Sequence, residues 1–257
     1  MSRINELFNR KKQDILNVYY TAGFPTLEST LSIMKQLQEA GVDMIELGVP
    51  YSDPLADGPV IQSSGSAALA NGMTIRTLLG QLENFRNEIH IPVLLMGYMN
   101  PVIQYGFENF CRDAARLGVD GLILPDLPMY EFDKEFGTII KKYGLDFVFL
   151  VTPETNEMRI RQLDIRSSGF LYAVSSSSTT GKNITLQDQE NYFRKLQSMN
   201  LTNPVLIGFG IKDKSGFNKA CSFASGAIIG TAFIKILENA APLQMPGRIT
   251  DFINSLK

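Results

Sequence analysis

The sequence predicts an α/β protein that folds as a (β/α)8 barrel, or TIM barrel, with residues 1–257 forming a single domain. Three observations favour this fold. Eight short apolar runs alternate with longer stretches of helical period, a glycine-containing motif recurs at helix ends, and the composition does not break along the chain. Continuous apolar runs are typical of strands buried on both faces. An open, doubly wound sheet is the alternative that this pattern leaves.

The order of elements along the chain is strand then helix, repeated from one end to the other. The predicted strands cover residues 15–20, 44–48, 93–97, 121–124, 147–151, 170–174, 205–208 and 227–230. The predicted helices cover residues 27–40, 107–117, 130–143, 157–166, 186–199, 213–223, 231–239 and 249–256. In barrels of this kind the active site lies at the C-terminal ends of the strands, so candidate residues are sought directly after each apolar run.

Three of the predicted helices end in related motifs. The chain reads Ala-Gly-Val-Asp at 40–43, Leu-Gly-Val-Asp at 117–120 and Tyr-Gly-Leu-Asp at 143–146. In each copy the glycine can adopt the left-handed conformation that ends a helix, and the next strand starts at once. The motifs therefore indicate a repeated βα unit.

Composition and charge exclude several classes of function. The formal net charge is −2, which gives no broad positive field for nucleic acid or an anionic membrane. The N-terminus lacks the apolar segment of a signal peptide, and no run approaches the ~20 apolar residues of a membrane span. We therefore expect a soluble, cytoplasmic protein. Cys111 and Cys221 fit reduced, partly buried thiols. With His90 as its one histidine, the chain is not expected to hold a metal.

Glu46 is the clearest candidate for a catalytic group, because it lies inside the otherwise apolar second strand. Burying a carboxylate is costly unless the group is paired or functional. Burial should raise the pKa of Glu46 towards neutrality, which suits a group that gives and takes protons. The structural alternative is a buried cation partner. None of the eight predicted strands contains lysine or arginine, which weakens that alternative.

The loop after the second strand carries two more carboxylates, Asp53 and Asp57, among prolines and glycines. A long loop at this end of a barrel often closes over substrate. A solvated turn that uses aspartate for capping is the alternative, and the residues alone leave the choice open for both aspartates.

Glycine-bearing turns after the last two strands predict a phosphate site. Gly208 and Gly210 follow the seventh strand, and Gly230 and Thr231 follow the eighth at the start of a helix. Glycine lets the backbone approach a ligand, helix N-terminal amides favour anions, and these two loops are the usual phosphate site of such barrels. Tight turns without a ligand are the alternative. The serine-rich segment 175–182 is either a loop that closes over the phosphate or a disordered connector.

These pieces resemble the tryptophan synthase alpha chain family. Residues 46–62 read Glu-Leu-Gly-Val-Pro-Tyr-Ser-Asp-Pro-Leu-Ala-Asp-Gly-Pro-Val-Ile-Gln, which closely matches the signature of that family. The resemblance covers essentially the whole chain. It continues through Tyr-Tyr-Thr-Ala-Gly at 19–23, Met-Gly-Tyr-Met-Asn-Pro at 96–101, Leu-Pro-Asp-Leu-Pro at 124–128, Thr180-Gly181, Gly-Phe-Gly at 208–210 and Gly230-Thr231.

The resemblance implies a lyase that cleaves indole-3-glycerol phosphate to indole and glyceraldehyde-3-phosphate. Glu46 matches the acid–base glutamate of the family, and Asp57 matches the aspartate that meets the indole nitrogen. Tyr172 matches a tyrosine near the glyceryl part of the substrate. The other matched positions hold the phosphate (Thr180, Gly181, Gly210, Gly230, Thr231) or line the indole pocket (Tyr19, Tyr98, Leu124, Phe209).

The chain departs from the family pattern at a few positions. Phe24 stands where aspartate is frequent, and Thr231 stands where serine is common. Ser176 and Ser178 replace a longer residue and a glycine. These changes bear on loop closure and rate, because both carboxylates and the glycines remain.

The resemblance also implies a partner. The alpha chain needs no cofactor of its own and pairs with a pyridoxal-phosphate beta chain in an α2β2 complex, to which indole passes. The loop 51–59 and residues 96–105, with an exposed Pro101, would belong to the docking face. Two rival interpretations remain at this stage: an isomerase of phosphorylated sugars built on the same phosphate cradle, and a catalytically silent subunit that only activates a partner.

Overall fold

The computed structural model describes residues 2–174, 186–208, 210–238 and 242–257. Nine strand segments in these ranges form one sheet, and every strand pairing is parallel. They are β1 (Ile15–Thr21), β2 (Met44–Gly48), β3 (Val93–Met96), β4 (Gly121–Ile123), β5 (Asp146–Phe147), β6 (Leu150–Val151), β7 (Leu171–Val174), β8 (Val205–Gly208) and β9 (Gly226–Ile229).

The sheet closes into a barrel at the fifth predicted strand, which the structure divides into β5 and β6. β5 pairs with β4 and β6 pairs with β7, so the two ends of the sheet are consecutive pieces of one segment. Between them, the hydroxyls of Ser168 and Ser167 accept hydrogen bonds from the backbone N–H groups of Phe147 (2.9 Å) and Phe149 (3.1 Å). These side chains take the place of strand–strand bonds and interrupt the ladder. The prediction of a (β/α)8 barrel is confirmed, with one strand in two parts.

Helices surround the sheet. They are α1 (Arg3–Arg10), α2 (Ser29–Glu39), α3 (Pro59–Ala70), α4 (Ile75–Gln81), α5 (Met99–Tyr105), α6 (Phe107–Leu117), α7 (Met129–Glu131), α8 (Gly137–Lys142), α9 (Glu157–Arg166), α10 (Leu186–Ser198), α11 (Lys214–Cys221), α12 (Thr231–Glu238) and α13 (Met245–Leu256). A π-helical stretch, Phe132–Phe136, joins α7 to α8, so the helix predicted over 130–143 is present with a wider turn. Within the described ranges, none of the helices is long and apolar enough to cross a membrane.

The sequence pattern missed four helices: α1, α3, α4 and α5. Three of these omissions have a simple explanation. The helices α4 and α5 are short, with seven residues each, and α3 contains serine and glycine, which have low helix propensity. The last helix begins at Met245, four residues before the predicted start. Cys111 and Cys221 lie on α6 and α11 as free thiols, as predicted, and both are buried rather than partly buried.

An ion cluster fixes the end of the barrel opposite the strand C-termini. Asp120, at the start of β4, accepts hydrogen bonds from the Arg3 guanidinium (2.9 Å), from the Val93 N–H (2.8 Å) and from Arg86. Arg86 also donates to the carbonyl of Ile91 at 2.7 Å. Burial lowers the pKa of Arg86 to about 10, and the Asp120 carboxylate opposes that shift. The cluster therefore ties α1 and β4 to the segment before β3.

Replacing Asp120 with alanine should destabilise the protein by about 3 kcal/mol or more, because Arg86 would keep a largely buried charge without a partner. The control is Glu83→Ala, which breaks the exposed Arg116–Glu83 pair and should change the free energy of unfolding little, because solvent screens both charges. Urea unfolding of both variants measures the difference. Equal, small losses would show that the Asp120 cluster contributes no more than a surface pair.

Candidate active site

The site is built at the C-terminal ends of the strands, around Glu46. Strand register sets Glu46 beside Tyr19 on β1 and Leu94 on β3. The Glu46 side chain is completely buried. The strand thus holds one acidic group among apolar neighbours, as the sequence predicts.

Glu46 has an amide as its hydrogen-bond partner. Asn17 Nδ2 on β1 donates to Glu46 Oε1 at 2.6 Å, and Glu46 Oε2 has no hydrogen-bond partner among the described residues. Burial raises the pKa of Glu46 to about 8, although the hydrogen bond from Asn17 works in the opposite direction. The raised pKa was predicted. The alternative of a buried cation partner is wrong for the part of the chain that the structure describes.

Asp57 lies in the loop after β2 and is half-buried. Burial raises the pKa of Asp57 to about 6, and a hydrogen bond from the Tyr98 hydroxyl limits the rise. The same hydroxyl accepts a hydrogen bond from the Ala56 N–H at 3.1 Å. Tyr98 therefore bridges the loop backbone and the Asp57 carboxylate. Asp53 in the same loop is exposed and bonds to its neighbour Ser52, as a solvated turn would require.

The loop is also attached to the start of α5. The rings of Tyr51 and Tyr98 lie 5.5 Å apart between centroids. Asn100 Nδ2 donates to the Tyr51 hydroxyl at 2.9 Å. These contacts hold the loop against a helix that the sequence did not predict, and so they set the place of Asp57.

A cavity opens at the C-terminal ends of the strands, and its volume is about 410 Å³ when the open space at its mouth is included. Its wall includes Tyr19, the strand neighbour of Glu46. It is lined by residues from six separate segments of the barrel rim, namely Tyr19, Asp57, Ile61, Met96, Tyr172, Gly210, Ile211, Ile228, Gly230 and Thr231. The lining is largely apolar, and Asp57 contributes a carboxylate to it. Glu46 is not part of the lining surface, and its charge acts on the Tyr19 and Tyr172 hydroxyls beside the cavity.

Two glycines make room for the tyrosines of this cavity. A Cβ at Gly48 would collide with the Tyr19 hydroxyl, and a Cβ at Gly208 would collide with the Tyr172 hydroxyl. Burial raises the pKa of both tyrosines well above the usual value, so both are neutral at pH 7. The strand ends are therefore shaped to keep two phenol rings inside the barrel mouth.

The other end of the cavity has the features of an anion site. Gly230 and Thr231 stand at the N-terminus of α12, where the backbone N–H groups of a helix lack partners within the helix. Gly210 has a φ of +78°, in the left-handed region that favours glycine. Backbone N–H groups and the helix dipole together favour a phosphate at such a place.

The structure brings together most of the predicted site residues. Tyr19, Asp57, Tyr172, Gly210, Gly230 and Thr231 line the cavity. Tyr98 is not part of the cavity lining, but its hydroxyl donates a hydrogen bond to Asp57, which is. Leu124 is buried directly after β4 but is not part of the lining. Thr180, Gly181 and Phe209, and the departures Ser176 and Ser178, lie outside the described residues.

Sequence reasoning missed Asn17 and several apolar lining residues. Asn17 is a polar residue within an apolar run, the same signal that identified Glu46. Met96 and Ile228 lie in predicted strands but were not assigned to the pocket, and Ile61 lies on the unpredicted helix α3. One further expectation was wrong: Pro101 is half-buried, and the exposed apolar residue of α5 is Ile103, at 52% exposure.

Comparison with known proteins gives one consistent result. A model of the family described as tryptophan synthase alpha chain matches residues 6–250. The tryptophan synthase alpha chains of Bacteroides thetaiotaomicron and Flavobacterium johnsoniae are 49% and 47% identical to this chain. The first match covers 93% of each chain, and the second covers 100% of both.

Solved structures agree with the sequence matches. The alpha subunit of tryptophan synthase from Legionella pneumophila superposes with a TM-score of 0.89 at 34% identity, covering 100% of this chain and 97% of that chain. Tryptophan synthase from M. tuberculosis, in an aminoacrylate-bound form, gives a TM-score of 0.86 at 30% identity, covering 100% and 98%. The barrel, the site and these matches agree, and this chain belongs to the tryptophan synthase alpha chain family.

Proposed function

We propose that Glu46 and Asp57 are the catalytic carboxylates of the lyase reaction of this family, the retro-aldol cleavage of indole-3-glycerol phosphate to indole and glyceraldehyde-3-phosphate. The observation that carries the proposal is the burial of Glu46 beside Tyr19, a wall residue of a mostly apolar cavity, without a cation partner among the described residues. A carboxyl group in that environment holds its proton near neutral pH.

Glu46 would act as both acid and base. It gives its proton to C3 of the indole ring, which turns the ring into an electrophilic indolenine. The resulting carboxylate then takes the proton of the adjacent glyceryl hydroxyl. The bond between C3 and the glyceryl carbon breaks, its electrons return to the ring, and the hydroxyl carbon becomes the aldehyde carbonyl.

Asp57 would stabilise the charge that develops during this step. Protonation at C3 places positive charge on the ring nitrogen. A fixed carboxylate that accepts a hydrogen bond from the ring N–H stabilises this charge more than water could, because it needs no reorganisation. The hydrogen bond from Tyr98 and the attachment of the loop to α5 support the fixed position.

The phosphate group would bind at the far end of the cavity. We assign it to the backbone N–H groups of Gly210, Gly230 and Thr231, together with the Thr231 hydroxyl. Anchoring a remote group positions the ring over Glu46 and contributes binding energy to the reacting geometry. Gly181, Thr180 and Phe209 stay predictions from the family resemblance, as does the placement of Tyr172 against the glyceryl chain.

We further propose that the chain works with a pyridoxal-phosphate beta chain in an α2β2 complex. The steps above use side chains of this chain alone, and the cofactor would belong to the partner. Leu55 in the loop after β2 is 84% exposed and Ile103 on α5 is 52% exposed, both beside the site. The loop after β2 also contacts the start of α5 through Tyr51, Tyr98 and Asn100, and this continuity supports a docking face there that receives indole.

Glu46→Gln should lower indole production from indole-3-glycerol phosphate at least about 10²-fold in kcat, with little change in substrate affinity, because the amide cannot exchange the proton. Asp57→Asn should also lower kcat more than affinity. The control is Glu83→Gln, the same chemical change on the surface. Each variant is assayed for indole release with and without an added beta chain. Near-normal turnover of Glu46→Gln in both assays would refute the assignment.

The rate constant kcat/KM should show a bell-shaped pH profile. Activity is gained as Asp57 ionises near pH 6 and lost as Glu46 ionises near pH 8, because the first must be charged and the second must carry a proton. The substrate phosphate also titrates at about pH 6. Asp57→Asn keeps the phosphate contribution and removes that of Asp57, so it separates the two. Activity that climbs steadily through pH 9 would contradict the role of Glu46.

The free energy of unfolding should also depend on pH through the raised pKa of Glu46, and this dependence can be measured without substrate. The pKa of Glu46 is raised on folding, so its contribution to stability is complete below the unfolded pKa of about 4.3 and is lost as pH rises towards 8. Relative to wild type, Glu46→Gln should gain up to about 1.4 kcal/mol per pH unit between pH 5 and pH 8. Urea unfolding at each pH measures this gain. A constant offset, as expected for Glu83→Gln, would mean that Glu46 is not buried as described.

A further inference from the structure

Asn17 is a fully buried polar residue in the middle of β1. Register places it beside Met44, two residues before Glu46 on the neighbouring strand. Its Nδ2 donates to Glu46 Oε1 at 2.6 Å, across the inside of the barrel. A buried amide in a strand needs hydrogen-bond partners, and this one is matched to the candidate acid–base group.

Two acceptor atoms of this pair lack a donor. Asn17 Oδ1 and Glu46 Oε2 are both buried without a hydrogen-bond partner among the described residues. A neutral carboxyl group carries its proton on one oxygen, and the other oxygen remains an acceptor. With the proton on Oε2, Oε1 keeps its hydrogen bond from Asn17, so the same contact suits both protonation states of Glu46.

We propose that Asn17 is a positioning residue that holds Glu46 in both of its protonation states. It donates through Nδ2 to Glu46 Oε1, which is an acceptor in the carboxylate and remains one, as the carbonyl oxygen, in an acid protonated on Oε2. One Glu46 oxygen stays held while the other remains available for proton transfer. The inference rests on the proposed catalytic role of Glu46 and adds a residue that keeps its geometry constant as the proton leaves and returns.

Among the described residues, Asn17 is the hydrogen-bond partner of the Glu46 carboxyl group, and the other groups around it have different properties. Tyr19 on β1 and Tyr172 on β7 are buried hydroxyls whose pKa values are raised, so they stay neutral. Asp57, in the loop after β2, is an acid whose charge acts on both tyrosines. Leu94 on β3 is apolar. The hydrogen bond from Asn17 is the contact that lowers the pKa of Glu46 against the effect of burial.

The test replaces Asn17 with leucine, which has a similar volume but cannot form hydrogen bonds, and with valine as a second apolar variant suited to a strand. The protonation of Glu46 is followed by carbon-13 NMR of protein labelled at the glutamate carboxyl carbons. The Glu46 signal is identified by its loss in Glu46→Gln. Removing a hydrogen bond to a carboxylate should move the midpoint of this titration upwards by about one unit or more.

The kinetic readout follows the titration. In Asn17→Leu the alkaline limb of kcat/KM should move upwards with the NMR midpoint, and kcat should fall about tenfold or more while KM changes little. Variants that lose stability but keep the wild-type midpoint and pH profile would show that Asn17 is only structural, which overturns the proposal.

Failure of the proposed function has a different outcome. If Glu46→Gln keeps its turnover, Glu46 is not the catalytic group. A shifted Glu46 midpoint in Asn17→Leu would then still demonstrate that Asn17 sets the protonation of Glu46. An unshifted midpoint in both apolar variants rejects the role of Asn17, whatever the activity of Glu46→Gln.

Discussion

The structure depends on one constraint, the burial of a carboxyl group that no cation compensates within the described part of the chain. Glu46 is enclosed by strands and bonded to an amide. Ionising it there is costly, because an isolated charge in an apolar interior loses its hydration. The group therefore retains a proton at pH 7, and the same cost that reduces stability at high pH would make that proton available for the transfer proposed above.

The two carboxylates have different supports, and this difference fits their proposed roles. Glu46 and Asn17 are on adjacent, hydrogen-bonded strands of the barrel. Asp57 is on a loop whose position relies on Tyr98, Tyr51 and the start of α5. The proposed proton donor, which needs a constant distance, is thus built into the sheet, whereas the carboxylate proposed to meet the ring nitrogen is on a loop, and loops of this kind often move when substrate binds.

Much of the site was predictable from the sequence because its residues break a simple pattern. An acid within an apolar strand identified Glu46, and glycines after the last two strands identified Gly210 and Gly230. Asn17 was missed because its importance depends on register: its partner is on the next strand, and a shift of one residue would turn its side chain to the other face. The bridge from Tyr98 to Asp57 joins segments distant in sequence and could not be inferred from either.

In the fold, too, the features with a local sequence pattern were predictable and those that depend on distant contacts were not. Apolar runs predicted the strands, since burial on both faces leaves a strong pattern. The break between β5 and β6 comes from Ser167 and Ser168, which follow a helix and accept hydrogen bonds from the backbone of that strand segment. Because these serines are distant from the strand in sequence, the strand's own residues do not predict the break. Helices such as α3, which contains serines and a glycine, owe their helical form to packing on the barrel more than to propensity.

The most direct test of the account is a crystal structure of the chain with indole-3-propanol phosphate, an analogue that lacks the glyceryl hydroxyls and so cannot be cleaved. The account predicts the phosphate on the backbone N–H groups of Gly230 and Thr231, the ring N–H on Asp57, and a Glu46 oxygen in contact with C3 of the ring. A ring bound with its N–H away from Asp57, or with C3 separated from Glu46 by other side chains, would contradict it.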